Sequence, residues 1–171
     1  SQSGADRAGG AIRHVARTGG SSSLDVVNTV FGRNDGNLGG ALYNGGADFN
    51  TETPGPATFR LVNVVFLQNS ADTGGAIHHA DSDGTIVNAT FTGNTASGQG
   101  GAIYNAVANG TSSSLELVNT ILWDASRVDA TGDGTVSVNG ATTTYEHSIQ
   151  KNVDLTSQGT GNLDGTDPSV G

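Results

Sequence analysis

Side chains able to do chemistry are sparse: 16 carboxylates, four histidines and seven cationic residues in 171, with no cysteine. Carboxylates come close together at Asp81-Ser82-Asp83-Gly84, at Asp129 with Asp133-Gly134, and at Asp164 with Asp167. Two acids hydrolyse a glycosidic bond when held about 5–9.5 Å apart on a rigid face, and clustered oxygens bind Ca2+. These acids flank glycines instead, where Asp serves as a turn residue. Turn chemistry is the expected role, and Asp81, Asp83, Asp129 and Asp133 stand as weak Ca2+ candidates outside any full calcium-loop motif. No catalytic residue and no other cofactor is expected.

The pair His78-His79 points the same way. Adjacent residues of a strand face opposite sides, so the two rings cannot share one metal. The corresponding positions elsewhere read Arg13-His14, Tyr43-Asn44 and Tyr104-Asn105, and a polar row facing solvent is expected. Asn88-Ala89-Thr90 and Asn109-Gly110-Thr111 are formal glycosylation sequons. Asn109, in an insertion loop, is the accessible one.

The elements that position these residues must be built from an unusual composition. Gly, Ser, Thr and Asn make up nearly half of the chain, against one Lys and three Glu. Helices favour Ala, Leu, Glu, Lys and Gln, which lose little rotamer freedom there, so an ordinary helical domain is excluded. The net charge of −9 arises entirely after residue 60. No basic stripe exists for phosphate contacts, which excludes nucleic acid as a partner. No apolar run approaches the roughly 20 residues of a membrane span, and no membrane insertion is expected.

A repeat organises the rest. Gly-Gly-Ala followed by Ile or Leu recurs at Gly9–Ile12, Gly39–Leu42, Gly74–Ile77 and Gly100–Ile103. Between these lie Val27-Asn28…Phe31…Asn34, Val62-Asn63…Phe66…Asn69 and Val87-Asn88…Phe91…Asn94, with a degenerate copy at Val118-Asn119…Leu122. From motif Asn to the next Gly-Gly the offset is 11, 11 and 12 residues, whereas from Gly-Gly to the next Asn it is 19, 24, 14 and 19. One side of the repeat is nearly constant and the other absorbs insertions, as in a stacked solenoid.

Segments Leu24–Phe31, Phe59–Leu67 and Leu115–Trp123 are short, rich in β-branched residues and bounded by turn formers, so they read as strands. The pattern predicts an all-β, right-handed parallel β-helix of about five to six coils, three short strands per coil and essentially no helix. Regular coils are expected over residues 1–126 and irregular coils of the same domain over 127–171. Ile12, Leu42, Ile77 and Ile103 would form one internal ladder, and Phe31, Phe66, Phe91 and Leu122 a second. Asn28, Asn63, Asn88 and Asn119 would occupy a left-handed corner, each amide bonded to its copies above and below.

The paired Gly-Gly-Ala-Ile and Phe-x-x-Asn motifs resemble the repeat of the chlamydial polymorphic membrane proteins and of secreted bacterial β-helix repeat proteins, over about residues 4–126. The resemblance implies extracellular or cell-surface display, bacterial or archaeal, with roles in adhesion or surface structure. Ice binding needs a flat Thr array, and the positions after the motif Asn read Thr29, Val64, Ala89 and Thr120, which is not one.

The leading expectation is a non-enzymatic structural protein whose subunits assemble head-to-tail through the ends at Ser1, Gln2 and Ser3 and at Pro168, Ser169 and Val170, which carry no obvious cap. A passenger fragment of an adhesin that binds surface glycans or a cellular ligand is the alternative. A polysaccharide-active β-helix enzyme is the second.

Overall fold

The computed structural model describes residues 7–46, 55–108, 112–123, 136–150, 156–163 and 165–166. In chain order the strands begin with β1 (Ile12–Ala16), β2 (Ser22–Gly32), β3 (Leu42–Gly46), β4 (Ala57–Leu67) and β5 (Ser70–Ala71). Next come β6 (Ile77–Ala80), β7 (Asp83–Thr92), β8 (Thr95–Ala96) and β9 (Ile103–Ala106). The last are β10 (Ser114–Trp123), β11 (Val136–Asn139), β12 (Thr142–Glu146) and β13 (Ile149–Gln150). No helix occurs among the described residues.

Each repeat places one strand in each of two parallel sheets. The short strands pair in the order β1-β3-β6-β9-β11, and the long ones in the order β12-β10-β7-β4-β2, with β13 also on β10. A third, narrow sheet pairs β5 with β8. The strands of a coil are thus unequal: the long strand runs through the Asn corner without a break, and the third strand is only two residues.

The Asn corner explains the spacing of the motif. In β4 the buried residues are Ala57, Phe59 and Leu61 before Asn63, then Val64 and Phe66 after it. Strand side chains alternate with period two, so the inward set changes from odd to even at Asn63. A residue at φ +54° inserts that half-step. Asn28, Asn88 and Asn119 take φ of +53°, +55° and +49° and shift the phase of β2, β7 and β10 in the same way. Asn tolerates this left-handed conformation better than other side chains do. The flanking Val62, Val87 and Val118 are left half-exposed on the outer face.

The Gly-Gly pair serves two separate needs. Gly39 has φ +67°, and a Cβ there would lie 2.0 Å from the Leu42 carbonyl oxygen. At Gly40 a Cβ would fall 2.1 Å from the carbonyl oxygen of Gly75 in the next repeat. The first glycine makes the bend, and the second lets two backbones meet.

Register puts like residues together. Ile12, Leu42, Ile77 and Ile103 align with Val136, and Phe31, Phe66, Phe91 and Leu122 align with Gln150. The Phe31–Phe66 and Phe66–Phe91 rings stack with centroids 4.9 and 4.7 Å apart. These rows, with Phe59, Leu61, Ile86, Leu115 and Leu117, form one apolar core between the sheets.

Candidate functional site

The carboxylates are held by the fold. Asp81 is buried at φ +53°, and its Oδ1 accepts the Ala108 N–H at 2.8 Å. Asp83 opens β7, and its Oδ1 accepts the Ser114 hydroxyl at 2.6 Å. Both acids tie one repeat to the next, and among the described residues no group of three His, Asp or Glu could hold a metal ion. Asp129 and Asp133 lie outside the described residues. So do Asn109, Asp164 and Asp167, and the end residues Ser1, Gln2, Ser3, Pro168, Ser169 and Val170.

A different pair of acids shares a surface cleft of about 290 Å³ beside β5 and β8. Asp35 accepts the Ser70 hydroxyl at 2.7 Å and pairs with Arg7 at 3.2 Å. Asp72 accepts Asn37 Nδ2 and the Ser97 hydroxyl, each at 3.0 Å. Sequence reasoning passed over this cluster. Aligning the tripeptides after each Phe-x-x-Asn would have found it, since Asp35-Gly36-Asn37, Ser70-Ala71-Asp72 and Thr95-Ala96-Ser97 follow in turn. Hydrogen bonds between neighbouring repeats occupy both carboxylates.

The outer corner carries an amide ladder. Asn63 Nδ2 donates to Asn28 Oδ1 at 3.1 Å, Asn88 to Asn63 at 3.1 Å and Asn119 to Asn88 at 3.0 Å, all exposed. The pairs Val118↔Glu146 and Ile121↔Ile149 set His147, at φ +48°, opposite Asn119.

A second amide ladder, from the last Asn of the motif, runs inside. Asn69 Oδ1 accepts both the Asn34 backbone N–H and Asn34 Nδ2 at 2.9 Å, while its own Nδ2 donates to the Phe31 carbonyl at 3.0 Å. Asn94 does the same for Asn69 and Phe66. Each amide clamps the turn of the preceding repeat, and Asn162 repeats the pattern on Ser148 and Tyr145. The sequence motif marks Asn34, Asn69 and Asn94 as recurrent without indicating these contacts.

The histidines overturn the expectation of a solvent-facing row. His78 is buried between Tyr43 and Tyr104, with ring centroids 5.3 and 5.0 Å away, and accepts or donates to the Thr73 hydroxyl at 2.9 Å. His79, on the opposite face of β6, is fully enclosed, as are Asn44 and Asn105 of the same row. The reason is strand alternation: His79 stands two places after the ladder Ile77 and so shares its inward face, where the two sheets meet. His79 Nε2 faces the carbonyls of Ser82 at 3.0 Å and Ser114 at 3.2 Å, so it carries the proton. Nδ1 then accepts from Asn44 Nδ2 at 2.9 Å, and the same amide donates to the Ala57 carbonyl at 2.7 Å. Burial lowers the pKa of both histidines to about 4. For His79 the carbonyl bonds and the nearby Asp83 and Asp81 oppose that shift without reversing it.

The row continues to His14, whose Nδ1 donates to Asn44 Oδ1 at 2.6 Å and whose Nε2 meets the Ser22 hydroxyl at 2.8 Å. Ser22, His14 and Asn44 have the sequence of contacts of a nucleophile, a base and an orienting group. The backbone N–H of Ser22 is bound to the Pro56 carbonyl at 3.0 Å, so that donor is taken up by the fold.

The row after the motif Asn faces inward and cannot present a surface array: Val64, Ala89 and Thr120 are buried. The solvent-facing row is Val30, Val65, Thr90 and Ile121, with Val30 66% and Ile121 46% exposed. It is more aliphatic than a Thr array.

These elements define an all-β repeat protein of parallel sheets, whose recurrent residues are taken up by contacts between repeats. Two of the repeats, residues 63–80 and 88–106, match the model of the Chlamydia polymorphic membrane protein repeat. No curated protein and no solved structure matches the chain.

Proposed function

We propose that the chain is a right-handed parallel β-helix of five to six coils, with residues 1–126 as its regular part and 127–171 as irregular coils of the same domain. It acts as a non-enzymatic structural element displayed at the cell surface. One observation carries this reading: the repeated Ile, Phe, Asn and Gly residues bond or pack against their own copies in neighbouring repeats. A sequence used in this way specifies a stiff rod and leaves its outer face free to vary. The described carboxylates of the candidate sites are engaged in the same inter-repeat bonds. The match to a polymorphic membrane protein repeat supports surface display.

Head-to-tail assembly of these rods into a filament or layer is the finer part of the proposal. It is favoured by β2, an 11-residue strand that among the described residues pairs with β4 alone and whose Leu24 and Val26 are only partly buried. Unpaired strand edges with apolar flanks recruit further strands. Electron microscopy and sedimentation of the purified chain test it: concentration-dependent filaments that Val26→Lys abolishes are expected. Monomeric particles at high concentration would rule out assembly. An adhesin passenger that binds surface glycans is the competing reading, and glycan binding by a monomer would favour it.

A further inference from the structure

The repeat that carries His78-His79 departs from its neighbours, which read Tyr43-Asn44 and Tyr104-Asn105. Asn is neutral at every pH, whereas imidazole gains a proton in mild acid. We propose that His78 and His79 form an acid-labile joint, at which protonation separates β6 from β7 and loosens the corner where the variable side of the repeat begins.

The geometry explains why protonation cannot be absorbed. His79 Nε2–H is shared by the carbonyls of Ser82 and Ser114, and Nδ1 is the acceptor for Asn44. A proton on Nδ1 would set two donors, the ring N–H and the Asn44 amide, against each other. Flipping Asn44 would relieve that clash, and His14 could follow by moving its proton to Nε2 against the Ser22 hydroxyl, but the Ala57 carbonyl would lose its donor and face the amide oxygen. An unmatched buried polar group is costly to retain. The Phe59 ring in β4, perpendicular to the imidazole with centroids 5.1 Å apart, closes the remaining side.

The surroundings supply little to hold the new charge. Among the described residues, Asp83 and Asp81 on the following turn are the carboxylates acting on His79, and Asn105 of β9 and Ser114 of β10 are neutral. Beyond Asn44 stands His14, itself a base. His78 faces Tyr43, Tyr104 and Thr73, with Arg13 one repeat further along its row. The second histidine adds to the first, since a charge on His79 disfavours one on His78.

The sign follows from linkage. Both pKa values are lowered from 6.5 to about 4 in the folded protein, so the unfolded chain binds the protons first. Stability is whole above about pH 6.5 and falls as the pH drops toward 4. Each histidine is expected to shift the folding equilibrium by about 100-fold between pH 7 and pH 4.

The test compares the protein with the double variant His78→Tyr/His79→Asn, which restores the neighbouring repeats' residues. Urea unfolding at pH 7 and pH 4 should show a large loss for the protein and at least a tenfold smaller loss for the variant. Equal losses would overturn the proposal. Nitrogen-15 titration of the imidazoles in the unaltered protein keeps the test open if the variant does not fold. A neutral His79 with its proton on Nε2 down to about pH 5 is expected, and a midpoint near 6.5 or a proton on Nδ1 would refute the joint.

Discussion

The two sides of the repeat solve the same problem differently. From the corner Asn to the next Gly-Gly the chain keeps 11 or 12 residues, and along this stretch Phe stacks on Phe and Asn clamps Asn. From Gly-Gly to the next Asn the length runs from 14 to 24, and the inward polar row reads His14, Asn44, His79 and Asn105, the last three buried. Where a side chain must bond its own copy, its identity is held. On the other side a carbonyl need only find some donor, and several residue types provide one.

This contrast is open to attack at the interior clamp. Asn69→Ala removes the acceptor for the Asn34 N–H and the donor to the Phe31 carbonyl, both in a buried turn. Leaving two such groups unmatched should cost about 2–4 kcal/mol in urea unfolding. A cost below about 1 kcal/mol would mean that the ladder is not what holds the constant side. The outer corner should respond less. Asn63→Ala keeps φ near +54° without the amide, at about 1–2 kcal/mol, and Asn63→Gly should restore most of that loss. Equal losses for Ala and Gly would assign the effect to the lost amide bonds rather than to the backbone.

The constant side was readable because its motifs recur. Spacing alone placed the Phe row and the Asn corner, and beyond the Gly-Gly the Ile row, on the residues that align in the sheets. The interior Asn34–Asn69–Asn94 clamp was visible as a motif but not as a contact, since its partners are backbone groups that no side-chain pattern encodes. The His row was misread for a related reason. Polar residues of mixed type look like surface, yet standing two places after the ladder Ile puts them on its inward face, where backbone carbonyls satisfy them. The cleft between Asp35 and Asp72 joins residues 37 positions apart, close only through the register of the repeats.

That register is the central claim, and a double-mutant cycle on the Phe row reads it most directly. Phe66 and Phe91 stack at 4.7 Å, while Phe31 and Phe91 have Phe66 between them. With Phe→Leu variants, Phe66 and Phe91 should couple by about 0.5–1.5 kcal/mol, and Phe31 and Phe91 should be additive within about 0.5 kcal/mol. Additivity at Phe66 and Phe91, or stronger coupling between Phe31 and Phe91, would contradict the stacking order on which the whole account rests.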